Sequence, residues 1–182
     1  MNTFKLPFSK STSNFPFDNG IILSTGDANS AGNSVIPADL NEGDTNWGTD
    51  SDLLDELGIT NTINATSIEF DFISALDKVR FEYILASEEY LQSAYICNNQ
   101  DVFALLIREA SITGPYTNIA RVGSQNDLIG PGTIHPDIFG FCTQENEPFF
   151  DNYSIGDTNF DGRTTPITSV ANVIPNTLYH AK

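Results

Sequence analysis

Glu88 and Glu89 are the first residues whose type and spacing suggest chemistry. Two carboxylates about 5–9.5 Å apart across a cleft would serve a glycoside hydrolase. Neighbours on a regular strand point to opposite faces, so these two share a target only if the strand breaks near Ser87. With such a break, they and Asp101 would supply oxygens to calcium, a hard cation. A third reading makes them acceptors for loop backbone N–H groups. Asp157-x-Asn159-x-Asp161-Gly162 repeats the opening of a calcium loop, with oxygens at alternate positions and a glycine turn. Its twelfth position is Thr168 and not a bidentate Glu, so a plain turn before an Asp-Gly hairpin fits equally well. Asp44-x-Asn46-x-Gly48-x-Asp50-x-Asp52 has similar spacing but reads better as acids at the favourable end of a helix dipole.

Nucleophilic catalysis finds no support. There is no G-x-S-x-G elbow, glycine-rich phosphate loop or dinucleotide fingerprint, so no catalytic residue is assigned. His135 and His180 are the two histidines, which leaves little imidazole for acid–base or metal work. Trp47, Tyr90 and Tyr95 stand among polar loop residues. Their faces either stack on sugar rings or shield the loops from solvent.

These side chains need a scaffold, and 182 residues can bury roughly 70% of the unfolded surface. Eight Lys+Arg against 24 Asp+Glu give a net charge of −16. A surface of that sign repels phosphate backbones and anionic lipids, which excludes nucleic acid as a partner. No apolar run approaches the ~18 residues of a membrane span, so direct membrane insertion is not expected. Only 18% of residues are charged, yet 40% are hydrophobic and thirteen are Phe. That is the composition of a folded domain and not of an acidic tail.

The elements read as all-β. Residues 1–17 form an irregular arm with Pro7 and Pro16 opposing regular pairing, and the domain proper occupies 18–182. Ala28 to Asp50 reads as a long surface loop. One short helix spans about 50–58, capped by Thr49 or Asp50 and stopped by Gly58. Strands are predicted at Ser67–Phe72 with Ile68, Phe70 and Phe72 inward, at Val79–Leu85, and at Asp101–Ile107 as an apolar central strand. Weaker ones follow at Tyr116–Val122, Thr164–Val170 and Asn176–Lys182. Antiparallel strands joined by short turns predict a two-sheet antiparallel β-sandwich of jelly-roll type.

A set of blocks carries a family resemblance. Leu23-Ser24-Thr25-Gly26, Phe70-Asp71-Phe72, Ala86-Ser87-Glu88-Glu89-Tyr90 and Asp101-Val102-Phe103 come first. Asn118-Ile119-Ala120, Asp161-Gly162-Arg163-Thr164-Thr165 and Thr177-Leu178-Tyr179-His180-Ala181-Lys182 follow in order. The whole resembles the choice-of-anchor L domain of bacterial surface and secreted proteins. The resemblance implies a non-catalytic, extracellular module of large surface adhesins, including those exported by the type IX system of gliding Bacteroidetes. Its partners would be a surface glycan or polymer, or neighbouring domains, with calcium as a structural ligand. Family members continue past the Tyr-His-x-Lys block, so a C-terminal truncation and an open sheet edge are expected at Lys182. For an exported domain, Cys97 and Cys142 are expected to form a disulfide worth about 4 kcal/mol in loop entropy, with two free buried thiols as the alternative.

Overall fold

The computed structural model describes residues 5–32, 40, 48–91, 96–98, 101–153 and 156–182. Strands and bridges hold 35% of the described residues, and every pairing among these is antiparallel. The protein is therefore all-β, built as several sheets.

The first ribbon pairs β1 (Lys5–Ser9) with β2 (Asn19–Leu23) in register from Lys5↔Leu23 to Ser9↔Asn19. The expected irregular arm thus contains a strand. Pro7 lacks an N–H, but a strand with one partner tolerates that loss on its outward side. Lys10 locks the ribbon by a 2.7 Å ion pair with Asp18.

Helix α1 (Ser51–Leu57) follows the capping rules. Asp50 Oδ1 accepts the N–H groups of Asp52 (3.0 Å) and Leu53 (3.2 Å), and Gly58 ends the helix in the left-handed region at φ 66°. After it come β3 (Phe70–Ile73), β4 (Lys78–Tyr83), β5 (Ala86–Ser87), β6 (Leu106–Glu109) and β7 (Thr117–Asn118). The short β8 (Arg121–Val122) and β9 (Asp127–Leu128) form a hairpin, and β10 (Phe150–Tyr153), β11 (Gly162–Thr164), β12 (Ile167–Asn172) and β13 (Leu178–Ala181) complete the chain.

The alternation read at Val79–Leu85 places β4 against β12 over six rungs, from Ile167↔Tyr83 to Asn172↔Lys78. Ile167, Ser169 and Ala171 point inward and Thr168, Val170 and Asn172 outward, the period of two that a half-buried strand requires. β12 feeds both buried clusters. Ile167 joins Ala120, Val122, Ile129 and Ile134, while Ala171 and Val173 join Ile107 and Tyr179. Removing one such buried Ile to Ala costs about 2–5 kcal/mol.

The largest sheet has the order β3-β13-β6-β7. The last strand is paired on both sides, to β3 through Tyr179↔Phe72 and to β6 through Tyr179↔Glu109. Phe72 stacks on Tyr179 at 5.8 Å, but Phe70, expected inward, stays 41% exposed.

The expected strand at Asp101–Ile107 is broken into pieces. Phe103 donates its N–H to Ile129, Leu105 donates to Oδ1 of Asn118 at 3.1 Å, and Leu106 donates to Lys182. A side-chain oxygen takes the rung that a continuous ladder would have supplied, so regular pairing starts only at Leu106.

Candidate functional site

The break foreseen near Ser87 exists. β5 lasts two residues, pairing Ser87 with Gly162 and Ala86 with Arg163 of β11, and the chain then winds into a 3₁₀ turn at Glu88–Leu91. Ser87 Oγ accepts the N–H of Glu89 at 3.3 Å and helps to set that turn. Glu88 and Glu89 consequently line one cleft of about 120 Å³, together with Asp101. Its opposite wall is Ser24, Thr25, Gly26 and Asp27, leading into the 3₁₀ turn Ala28–Ala31 that Asp27 caps. Phe160 adds an apolar side. No lysine, arginine or histidine lines the cleft among the described residues.

Its electrostatics follow from crowding. Burial first, then the charge and hydrogen bond of Asp101, then Glu88, push the Glu89 carboxyl up to about 7. The Glu89 carboxyl therefore retains its proton well above the ordinary carboxylate range. Oε2 of Glu88 accepts the Leu40 N–H at 3.1 Å, so this residue also holds backbone in place.

Beneath the cleft lies a rigid floor. Tyr90, expected as a ligand-stacking ring, is instead 2% exposed and packs on Phe150 at 5.0 Å. A ring enclosed in this way has no face to offer a sugar. Gly162 makes the close approach possible, since a Cβ there would sit 2.6 Å from that of Tyr90. Next to it, Arg163 is buried, with Nε 3.0 Å from Asp151, Nη1 2.6 Å from Asp157 and its guanidinium 5.2 Å from the Phe15 ring.

In the Asp157-x-Asn159-x-Asp161 segment, two of the side chains are engaged by protein groups. Asp157 binds Arg163, and Asn159 Nδ2 donates to the Ser30 carbonyl across from the cleft. Among the described residues, no group of three or more His, Cys, Asp or Glu side chains is arranged to hold a metal ion. Trp47, Tyr95, Asp44 and Asn46 lie outside the described residues.

Cys97 and Cys142 form a disulfide, with Cα atoms 5.9 Å apart and a sequence separation of 45. The histidines stand away from the cleft lining. His135 is buried and its Nδ1 donates to the Pro136 carbonyl at 2.8 Å, while His180 pairs with Asp71 at 2.7 Å.

Sequence reasoning missed a second acidic group. Lys182 Nζ lies 2.7 Å from Asp50, 2.7 Å from Asp52 and 3.3 Å from Glu69, which ties helix α1 to the end of β13. Burial pushes the Asp50 carboxyl upward, but bonds from Lys182, Leu53 and Asp52 outweigh it and hold the group below its usual range. The local signal was the helix cap itself, though nothing local named Lys182 as its partner.

A family model described as Choice-of-anchor L domain matches residues 6–182. No curated protein and no solved structure matches the chain.

Proposed function

The chain belongs to the choice-of-anchor L family, and on that premise we propose that it is a non-catalytic extracellular module of a bacterial surface adhesin. Domains of this family occur in cell-surface or secreted proteins. In this reading the antiparallel sheets stack face to face as a sandwich and hold the Ser24–Asp27 loop and the Glu88–Leu91 turn outward. The carboxylate cleft between them meets a surface polymer or a neighbouring domain.

The observation that carries the reading is the family match along nearly the whole chain. The Cys97–Cys142 disulfide supports it, because such bonds persist in oxidising compartments outside the cytosol. Calcium is the cation this cleft would take. The crowding that lifts Glu89 supports that view, since a divalent ion would relieve the repulsion once the carboxylates close on it.

Two measurements test the proposal. On intact producing cells, a membrane-impermeant label should reach the domain; labelling only after lysis would remove the surface assignment. On a glycan array scored with calcium and with chelator, wild type should give hits that Glu89→Gln with Asp101→Asn loses. An empty array would leave a passive spacer. Turnover of a polysaccharide that disappears in Glu88→Gln would replace the proposal with a hydrolase.

A further inference from the structure

Between Ile134 and Asn146 the chain makes an excursion whose base and neck are fixed while its tip is bare. At the base, His135 and Glu145 exchange both backbone bonds, at 2.9 and 3.0 Å. At the neck, Ile138 and Cys142 do the same at 2.9 and 3.2 Å, and Phe141 also donates to the Ile138 carbonyl at 2.9 Å. The disulfide to Cys97 pins the neck to the body. The tip is Phe139-Gly140-Phe141, with Gly140 at φ 84° turning the chain in open space. Phe139 is 95% exposed and Phe141 60% exposed.

A phenylalanine left in water forgoes about 1.5–3 kcal/mol of burial, and here two sit side by side on a pinned turn. Among the described residues neither ring joins a buried cluster. A pre-ordered turn loses little further freedom on binding, so its apolar area converts efficiently into affinity. The surroundings state the sign of the partner. No Lys or Arg occurs from Val122 to Gly162, a stretch with seven acids, and Asp137 next to the neck, Glu145 at the base and Glu147 just beyond it are exposed.

We propose that the Phe139–Phe141 tip is a docking finger for a partner protein whose apolar socket is rimmed by lysine or arginine. The acidic flanks oppose insertion between anionic lipid headgroups. They equally oppose a second copy of a chain carrying −16. Two phenyl rings desolvated in one socket give the kind of central contact that dominates binding, and the charged rim steers encounter. The tip residues do not line the carboxylate cleft, and the proposal does not depend on it.

The test uses an 18-residue synthetic peptide with a leucine face and lysine flanks as the socket probe, followed by fluorescence anisotropy. Wild type should bind it, Phe139→Ser with Phe141→Ser should bind at least tenfold more weakly, and salt should weaken the wild-type complex. Ile73→Ser with Leu178→Ser, a change to a different exposed apolar patch, should leave binding unchanged. A leucine–glutamine peptide should bind less well than the lysine one. Absence of binding, or equal binding by the double Phe variant, overturns the proposal. So does adsorption of wild type to phosphatidylcholine vesicles, or sedimentation as a dimer that the Phe substitutions abolish. The double variant must keep the wild-type melting midpoint; should it fail to fold, Phe139→Ser alone, at the barer position, replaces it.

Discussion

Asp50, Asp52 and Glu69 form one acidic group and Glu88, Glu89 and Asp101 line another, yet Asp50 and Glu89 are shifted in opposite directions. The first surrounds Lys182, and Asp50 is held below the ordinary carboxylate range. The second lines a cleft without a lysine or arginine among the described residues, and Glu89 is pushed up to about 7. Residue type is the same in both; the placement of one cation decides the difference. The Lys182 group is a latch, fastening α1 to the sheet. In the cleft, burial and the neighbouring Asp101 hold the Glu89 carboxyl in its protonated form to higher pH. The same residue type thus meets two different environments in one chain, and the difference is visible only in three dimensions.

Removing a compensating cation should have the largest effect. Arg163→Met would leave Asp157 buried beside Asp151 with no counter-charge. Breaking such a pair costs about 3–5 kcal/mol, and a thermal melt should show a fall of about 10 °C or more. A fall of a degree or two would mean that Asp157 is not anchored as described. Next comes calcium, the cation proposed for the cleft. At about 100 times its Kd, calcium should add roughly 2.7 kcal/mol. Melts in millimolar calcium against chelator at pH 7.5 should differ by several degrees for wild type and not for Glu89→Gln with Asp101→Asn.

Lys182→Met should cost about 2 kcal/mol, less than a fully buried pair because Asp52 and Glu69 keep contact with solvent. Its pH signature is specific. The Asp50 carboxyl is lowered on folding, so its contribution is present above about 3.8 and is lost as pH falls through the folded value. The gap between wild type and Lys182→Met should therefore narrow on acidification, which denaturant melts from pH 7 to pH 3 would measure. A gap that widens would reverse the assignment.

What could be read from the sequence was what is encoded locally. The cap at Asp50 and stop at Gly58 set α1, and the alternation at Val79, Phe81 and Tyr83 set β4 with the correct inward face. The break after Ser87 was foreseen as a condition, since only then do Glu88 and Glu89 share a cleft. Features resting on distant partners were not legible. Asp101–Ile107 has the composition of a central strand, but Asn118 takes one of its rungs with a side chain. Tyr90 carries a loop-like neighbourhood in sequence, while its burial depends on a glycine 72 positions on, at Gly162. Lys182 meets Asp52 across 130 residues, a pairing no local pattern announces.

The remaining test is the most direct. Folding raises the Glu89 carboxyl from 4.5 to about 7, so the native state holds a proton that the unfolded chain releases first. Stability contributed by that proton is complete below pH 4.5 and is lost as pH rises toward 7. Unfolding free energies of wild type and Glu89→Gln should be measured by denaturant titration across that window. Wild type is expected to weaken steadily as pH rises while Glu89→Gln stays flatter and, at pH 7, at least as stable. Parallel curves for the two proteins would contradict the claim that the cleft holds its carboxylates in tension.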